Sequence, residues 1–305
     1  MSTESLGKLV AAFPGMVKLD EPMSLHTSFR IGGPADALVT PTTIPELKQV
    51  LRFCQEYQLP FVVIGNGSNL LIRDGGIRAV VIKIAGAMST VTLTATGLIV
   101  EAGISLAAVA RTAVEAGLGG LEFAAGIPGS LGGAVMMNAG AYGGEMRDVV
   151  ERVWALDSFG WEHVLAKEQL EFGYRHSALM ERHLIATKVE LCLSARDPAE
   201  SQALIVDLAA RRREKQPLQL PSAGSVFKRP PGHYAGALIQ QAGLMGKRIG
   251  GAEVSTLHAG FIVNAGNATA ADVENLIHHV QATVLQKFGV SLETEVRIMG
   301  EKCGL

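Results

Sequence analysis

Apolar residues recur along the chain with periods that predict both helices and buried strands. After Thr43 they return every three or four positions up to Cys54, which predicts a helix that Thr43 caps. The continuous apolar runs 61–64 and 79–84 predict two buried strands, and the loop 65–70 follows the first of them directly. The opening third of the chain is therefore predicted to be a β-α-β type of unit.

The same patterns continue towards the C-terminal end. They predict a hairpin of 91–94 with 98–101, a helix from Ser105 to Gly117, strands near 149–157 and 184–193, helices at 198–215 and 235–243, a strand at 260–264 and a helix that Thr269 caps. Residues 290–298 alternate between apolar and polar side chains, which predicts one continuous strand with Glu293 and Glu295 on the same face.

Segment 126–143, the second glycine loop, is unusually rich in glycine. Glycine weakens both helices and strands, so this segment is not expected to form a stable helix or a well-packed strand. Bare backbone can approach a ligand closely and present N–H groups to anionic oxygens. Residues 64–70, the first glycine loop, have the same character. Two such loops indicate a ligand with more than one phosphate, such as a dinucleotide.

Composition narrows the class of protein. The 305 residues are 48% hydrophobic and carry a formal net charge of −2, which indicates a globular enzyme of two or three domains and argues against nucleic-acid or membrane partners. Three cysteines far apart in sequence, no leader-like N-terminus and no apolar run of membrane-spanning length predict a reduced, cytoplasmic protein. The basic run 211–213 is interpreted as a solvated helix face.

A Rossmann site for NAD is the first alternative for the first glycine loop, and two positions argue against it. Leu70 stands where the Rossmann fingerprint has its third glycine. The next strand ends in Lys83 and Ile84 rather than in the acidic residue that would bind the ribose hydroxyls.

The two glycine loops instead resemble those of flavoproteins of the vanillyl-alcohol oxidase type, in which the FAD pyrophosphate lies across two such loops. Many of those proteins attach the flavin to a histidine in the first loop. The first glycine loop here contains no histidine, so the resemblance implies non-covalent FAD. The residues that it assigns to the cofactor are Ile64, Gly65, Asn66, Gly67, Ser68, Asn69, Leu70, Gly126, Ile127, Pro128, Gly129, Ser130, Gly132, Asn138, Ala139, Gly140, Ala141 and Tyr142.

Four further motifs occur in order, namely 27–36, 174–177, 222–230 and 292–297. With the glycine loops they make nearly the whole chain similar to the UDP-N-acetylenolpyruvoylglucosamine reductase family. The short stretch between the second and third of these motifs resembles the family's shorter type, which lacks an extra substrate-capping insertion. His26 is a departure, because the family usually has asparagine there.

The resemblance implies an NADPH-dependent oxidoreductase that reduces UDP-N-acetylglucosamine enolpyruvate to UDP-N-acetylmuramate for peptidoglycan synthesis. Hydride passes from NADPH to FAD and then to the vinyl carbon. Ser225 is the implied proton donor, and Arg175 and Glu295 are implied to stabilise the developing enolate. Glu293 remains an alternative to Glu295, because both were predicted to lie on one face.

Substrate contacts are implied for Tyr174, Lys228 and Arg229, with Lys247 and Arg248 as further candidate cations for the phosphates. No metal site is expected, because the adjacent pair His278 and His279 has no metal-like companion.

The implied fold class is α+β, an FAD-binding fold of the vanillyl-alcohol oxidase type followed by a C-terminal α/β substrate-binding domain. The predicted domains are 1–84, joined by a strand at 290–305, then 85–197 and 198–289. Two other functions stay open: an FAD oxidase or dehydrogenase of the same fold that acts on an alcohol, and a nucleotide-binding module without catalysis.

Overall fold

The computed structural model describes residues 1–303. These residues form eight α-helices: α1 (Thr3–Ala12), α2 (Ile44–Glu56), α3 (Leu106–Glu115), α4 (Leu131–Met136), α5 (Ala178–Glu181), α6 (Pro198–Lys215), α7 (Ala235–Gln241) and α8 (Ala270–Phe288). They also form nineteen strands: β1 (Val17–Pro22), β2 (Pro34–Val39), β3 (Phe61–Ile64), β4 (Leu70–Ile72), β5 (Ile77–Lys83), β6 (Val91–Thr94), β7 (Gly97–Glu101), β8 (Leu118–Gly119), β9 (Gly140–Ala141), β10 (Gly144–Glu145), β11 (Val150–Leu156), β12 (Glu162–Ala166), β13 (Ile185–Cys192), β14 (Ser194–Ala195), β15 (Ser222–Ser225), β16 (Arg248–Ile249), β17 (Ala252–Val254), β18 (Phe261–Asn264) and β19 (Arg297–Met299).

The chain divides into two compact units. The first unit contains Met1–Lys18, Ala37–Asn66 and Ala79–Arg212, and the second contains Leu19–Asp36, Gly67–Arg78 and the described residues from Arg213 onwards. The first glycine loop is therefore shared by the two units, whereas the second glycine loop lies wholly in the first. The three predicted domain boundaries remain a prediction.

The first unit is built on a five-stranded antiparallel sheet with the strand order β12-β11-β13-β7-β6. Helices α3 and α4 contact this sheet and bury residues such as Leu106, Val109 and Val135 in its core. The same unit contains β3 and the residues of β5 that pair with it in parallel, 80–83. Helix α2 begins at a capping box, in which Thr43 Oγ1 accepts from Glu46 N at 3.3 Å and Glu46 Oε2 accepts from Thr43 N at 3.2 Å.

The second unit contains an antiparallel sheet with the strand order β15-β18-β17-β16, on which α8 packs. The buried face of α8 includes Val273, Leu276 and Val280. Two acidic side chains hold its N-terminus: Asp272 forms a capping box, and Asp74 accepts from two backbone N–H groups of the first turn at 2.8 and 2.9 Å.

The helices and strands predicted before residue 290 are confirmed to within a few residues. The single strand predicted over 290–298 is wrong, because only β19 is regular. Glu295 N and Val296 N both donate to Val226 O, at 2.7 and 3.4 Å, whereas successive N–H groups of a regular strand point in opposite directions. The segment then pairs in parallel with β4, where Arg297 lies opposite Leu70.

Within residues 1–303, no helix combines the length and the apolar character that crossing a bilayer requires.

Candidate functional site

The first glycine loop leaves β3 and meets the second glycine loop at Gly65. A Cβ placed on Gly65 would overlap the Ser130 hydroxyl oxygen, so a larger residue at position 65 would displace this hydroxyl. Ser130 is buried, and its hydroxyl accepts from Gly133 N at 3.4 Å, which caps α4. The two loops that were predicted to share one ligand are thus adjacent within the first unit.

Helix α4 lies inside the second glycine loop, so the expectation that this segment forms no helix is wrong. Gly132 explains why glycine is tolerated there. Its N–H donates to Ala102 O at 2.9 Å, and a Cβ at this position would lie 3.0 Å from the Ala102 Cβ. Close packing and the Ser130 cap therefore outweigh the entropy that glycine loses in a helix.

Asn138 lies just beyond α4, and its side chain is fully engaged with the protein. The residue is 1% exposed and has φ +42°. Its amide nitrogen donates to Glu145 Oε2 at 2.9 Å and to Gly173 O at 3.0 Å, while its oxygen accepts from Arg147 N at 2.9 Å. The predicted contact of Asn138 with a cofactor therefore remains a prediction for its backbone, since both amide hydrogens are already donated.

Arg212 is the site residue that the sequence interpretation missed. Its guanidinium donates to Gly126 O in the second glycine loop, and burial lowers the pKa of this side chain. On the same helix, Leu208 O accepts from the Tyr142 hydroxyl at 3.3 Å. The interpretation of 211–213 as a solvated face is wrong for this residue. The spacing in the sequence could have indicated this contact, because positions 201, 208 and 212 lie on one face of α6.

Glu122, just before the second glycine loop, fixes the start of α6. This buried carboxylate accepts from Ser201 Oγ at 2.7 Å, Gly120 N at 2.8 Å and Arg196 Nη1 at 3.3 Å. Burial opposes its ionisation, but these hydrogen bonds outweigh burial and hold the pKa of Glu122 below its usual range. Of the residues of α6, all described by the structure, Ser201 alone is buried, so polar contacts attach this helix to the loop.

Arg175 also belongs to the first unit. It lies with Tyr174 at the tip of a tight turn between Gly173 and His176, which exchange backbone hydrogen bonds at 3.1 and 3.3 Å. Its backbone has φ +56°, and its guanidinium lies 5.2 Å from the centre of the Tyr174 ring. The turn presents the two side chains of the motif together.

Ser225 and Glu295 belong to the second unit, where backbone pairing joins them. Glu295 N donates to the carbonyl of Val226, the residue after Ser225, at 2.7 Å. Asn69, from the first glycine loop, donates its side-chain amide to Glu295 O at 3.1 Å. The second unit therefore brings together the backbones of the Ser225 segment (residues 222–229), of Glu295 and of part of the first glycine loop.

The alternative carboxylate, Glu293, has a different environment from Glu295. Its side chain is 76% exposed and lies 3.2 Å from Lys228 Nζ, while Glu295 is half-buried. Lys228 pairs with Glu293, and the neighbouring Arg229 guanidinium lies 4.1 Å from the centre of the Tyr234 ring. Arg248, a further candidate, pairs with Glu253.

His26, which departs from the family pattern, supports the first glycine loop through its backbone. A Cβ on Gly67 would overlap the His26 carbonyl oxygen. The His26 side chain lies 2.9 Å from Glu21 Oε1 with both side chains largely buried. The contact with the loop therefore does not depend on an asparagine side chain at this position.

The residues of the first unit fit a cofactor that carries a pyrophosphate. The two loops meet through bare backbone at Gly65, Gly129 has φ +135°, and the positive charge of Arg212 lies against the second loop. Among the described residues, no group of three or more His, Cys, Asp or Glu side chains is placed to hold a metal ion.

Comparison with known proteins identifies the family. Residues 35–163 match the FAD binding domain model, and residues 216–299 match the model of the UDP-N-acetylenolpyruvoylglucosamine reductase C-terminal domain. A UDP-N-acetylenolpyruvoylglucosamine reductase from Alkaliphilus oremlandii is 53% identical over 287 residues, which cover 94% of each chain. The chain belongs to the UDP-N-acetylenolpyruvoylglucosamine reductase family.

Other members of the UDP-N-acetylenolpyruvoylglucosamine reductase family agree with this assignment. The reductase from Clostridium botulinum is 51% identical over 286 residues, covering 94% of this chain and 93% of that protein. The crystal structure of the reductase from Thermus caldophilus matches with a TM-score of 0.78 and 40% identity, over 92% of this chain and 97% of that chain. The implied fold class, α+β with an FAD-binding fold, is confirmed, and it is followed by the C-terminal domain of this family.

Proposed function

We propose that the chain is an NADPH-dependent, FAD-containing enzyme that reduces UDP-N-acetylglucosamine enolpyruvate to UDP-N-acetylmuramate in peptidoglycan precursor synthesis. The names of its relatives support this proposal, and one arrangement in the second unit carries it. Glu295 N donates to Val226 O, next to Ser225, and Asn69 of the first glycine loop donates to Glu295 O. These bonds hold the backbones of Val226, Glu295 and the first glycine loop together, which supports the assignment of the Ser225 hydroxyl and the Glu295 carboxyl group to one site.

The two glycine loops would hold the FAD pyrophosphate, with Arg212 supplying positive charge beside the second loop. Bound FAD supplies the hydride-transfer chemistry between NADPH and the substrate. NADPH, FAD and the sugar-nucleotide substrate are all soluble metabolites, so we infer that the enzyme acts in the cytoplasm.

The remaining chemistry falls to side chains of this chain. Arg175 binds the substrate carboxylate, because a guanidinium is permanently charged and matches two carboxylate oxygens at once. Its charge also stabilises the enolate that forms when hydride reaches the terminal vinyl carbon. Ser225 delivers a proton to the carbon bearing the carboxylate, and Glu295 contributes to the stabilisation of the enolate.

Substrate binding falls to Tyr174, Lys228 and Arg229. Arg229 is the leading candidate for the phosphates, because it is exposed and the ring of Tyr234 supports its guanidinium. Lys228 is paired with Glu293, so a phosphate must compete with that carboxylate for its charge.

Two half-reactions test the proposed function. The purified protein is loaded with FAD and mixed anaerobically with NADPH, which is expected to bleach the visible flavin absorbance. Addition of the enolpyruvyl sugar nucleotide is then expected to restore it. Failure to bind FAD contradicts the proposal. Reoxidation only by oxygen, with peroxide release on addition of an alcohol, would instead assign the chain to the oxidases of this fold.

A further inference from the structure

Arg175 has a backbone conformation that side-chain-bearing residues rarely adopt. Its φ of +56° lies in the left-handed region, which disfavours a non-glycine residue. Such conformations persist where the surroundings hold them in place. The hydrogen bonds between Gly173 and His176 close the turn but do not fix its direction relative to the rest of the first unit.

Two side-chain hydrogen bonds brace the turn, one on each side of Arg175. On one side, Asn138 Nδ2 donates to Gly173 O at 3.0 Å. On the other, the fully buried Ser177 donates its hydroxyl to Met136 O at 2.8 Å. Met136 and Asn138 both belong to the second glycine loop, so both braces connect the Arg175 turn to that loop.

Asn138 is well suited to this task and poorly suited to binding a ligand with its side chain. One amide hydrogen is donated to Glu145 and the other to Gly173, and the amide oxygen accepts from Arg147 N. An aspartate would place a carboxylate against the Glu145 carboxylate and the Gly173 carbonyl oxygen, with no hydrogen to donate to either. The arrangement therefore depends on the two donors of the amide.

We propose that Asn138 is a positioning residue that holds the Arg175 turn, and that it links the second glycine loop to the orientation of the arginine that binds the substrate carboxylate. This inference rests on the proposed role of Arg175. It assigns the Asn138 side chain to the half-reaction with the sugar nucleotide rather than to the binding of FAD.

The variant Asn138→Gly tests the inference, because glycine accommodates the positive φ while the whole side chain, with both amide donors, is removed. Stopped-flow mixing should show unchanged reduction of the bound flavin by NADPH and about 100-fold slower reoxidation by the enolpyruvyl substrate, as expected for a misplaced binding group. Equal slowing of both half-reactions, or no slowing of the second, would overturn it.

Thr187→Val is the matched control. It removes another buried side-chain hydrogen bond of the first unit, from Thr187 Oγ1 to Trp154 O at 3.0 Å, which does not reach the turn. Both half-reactions should keep their wild-type rates in this variant. If Asn138→Gly does not fold, Ser177→Ala removes the other brace and carries the same expectation with a smaller effect.

Arg175→Lys separates this inference from the proposed function. Normal reoxidation in Arg175→Lys would contradict the role of Arg175 itself. Slow reoxidation in Arg175→Lys together with normal reoxidation in Asn138→Gly would overturn the role of Asn138 alone. If Asn138 acts through Arg175, the double variant should be no slower than the slower single variant, whereas multiplied effects would contradict that coupling.

Discussion

Main-chain hydrogen bonds hold both the second glycine loop in the first unit and the Ser225 segment (residues 222–229) in the second unit, but side chains contribute more to the loop. Gly132 N donates to Ala102 O at 2.9 Å, and three side chains add to such bonds: Ser130 caps α4, Asn138 reaches Gly173, and Arg212 reaches Gly126. Around Ser225, main-chain hydrogen bonds predominate. Val226 N donates to Gly260 O at 2.9 Å, and Lys228 N donates to Glu293 O at 2.9 Å.

This difference bears on how each region responds to substitution. Ser130 and Arg212 support the loop itself, so changes at these two residues should disturb stability and cofactor binding together, whereas the Asn138 side chain reaches the Arg175 turn. A segment that its backbone holds keeps its position when a side chain is changed. Ser225 and Glu295 can therefore be replaced to test chemistry alone, whereas substitution of Ser130 or Arg212 tests structure first.

Ser225→Ala should have the largest effect and should leave the fold intact. Removal of the proton donor is expected to slow reoxidation of the flavin by the sugar nucleotide by about 100-fold or more, since general acid catalysis contributes on that scale. The backbone bonds of the segment remain, so the urea midpoint and the NADPH half-reaction should match the wild type. Equal loss of both half-reactions would remove Ser225 from the role of proton donor.

Glu122→Ala should give the largest change in stability. It removes the acceptor that the Gly120 N–H, the Ser201 hydroxyl and the Arg196 guanidinium share. We expect this loss to lower the free energy of unfolding by about 3 kcal/mol. Urea denaturation measures this loss.

Glu200→Ala is the control for that measurement. Glu200 also contacts Arg196, at 3.8 Å, but its side chain is 68% exposed. The change in unfolding free energy should stay below about 0.5 kcal/mol, as for other exposed ion pairs. Similar losses in both variants would contradict the importance of burial at Glu122.

Gly65→Ala should weaken FAD binding by about tenfold, roughly the effect of losing one helix cap. The added Cβ would overlap the Ser130 hydroxyl and force it away from Gly133 N. Titration of the apoprotein with FAD, followed by flavin fluorescence, measures the affinity. Gly133→Ala is the matched control, because its Cβ would lie at an ordinary 3.4 Å from the Ser130 hydroxyl.

The pH dependence of stability should be the smallest effect and should occur in both units. The folded protein holds the pKa of Glu122 and of Asp272 below their usual ranges: for each, burial opposes ionisation but hydrogen bonds outweigh it. A lowered folded pKa gives stability that is present above the unfolded pKa, about 4 for these carboxyl groups, and is lost as the pH falls through the folded pKa. The urea concentration at the unfolding midpoint should therefore decrease as the pH is lowered below about 4.

The variant Glu122→Gln tests this expectation. Its urea midpoint should decrease less steeply with falling pH than that of the wild type, and an unchanged slope would exclude Glu122 as a contributor.

Much of the fold was predictable because its signals are local. The helix after Thr43 and the helix after Thr269 each combine a cap with apolar residues at helical spacing, and both are confirmed. The last strand was not predictable from alternation alone. Its segment changes partners between Thr294, which pairs with Phe227, and Arg297, which pairs with Leu70. Such a change depends on distant parts of the chain.

The candidate site was predictable where residue type fixes the backbone and not where a side chain bridges distant segments. The glycine loops could be found because glycine itself is the signal, and at Gly65 a Cβ would overlap the Ser130 hydroxyl. The contact of Arg212 with Gly126 joins residues that lie far apart in sequence. Asn138 lies within the second glycine loop, and its bond to Gly173 is visible only in three dimensions.

The weak apolar attachment of α6 should make the opening of this helix sensitive to a ligand bound at the second glycine loop. Helices that bury little apolar surface open locally at low free energy, so the amide hydrogens of α6 should exchange with deuterium early. A ligand bound at the second glycine loop would stabilise the closed helix through Arg212 and Tyr142, in proportion to the logarithm of its concentration. Deuterium uptake by α6 would then measure the fraction of loaded protein without any turnover.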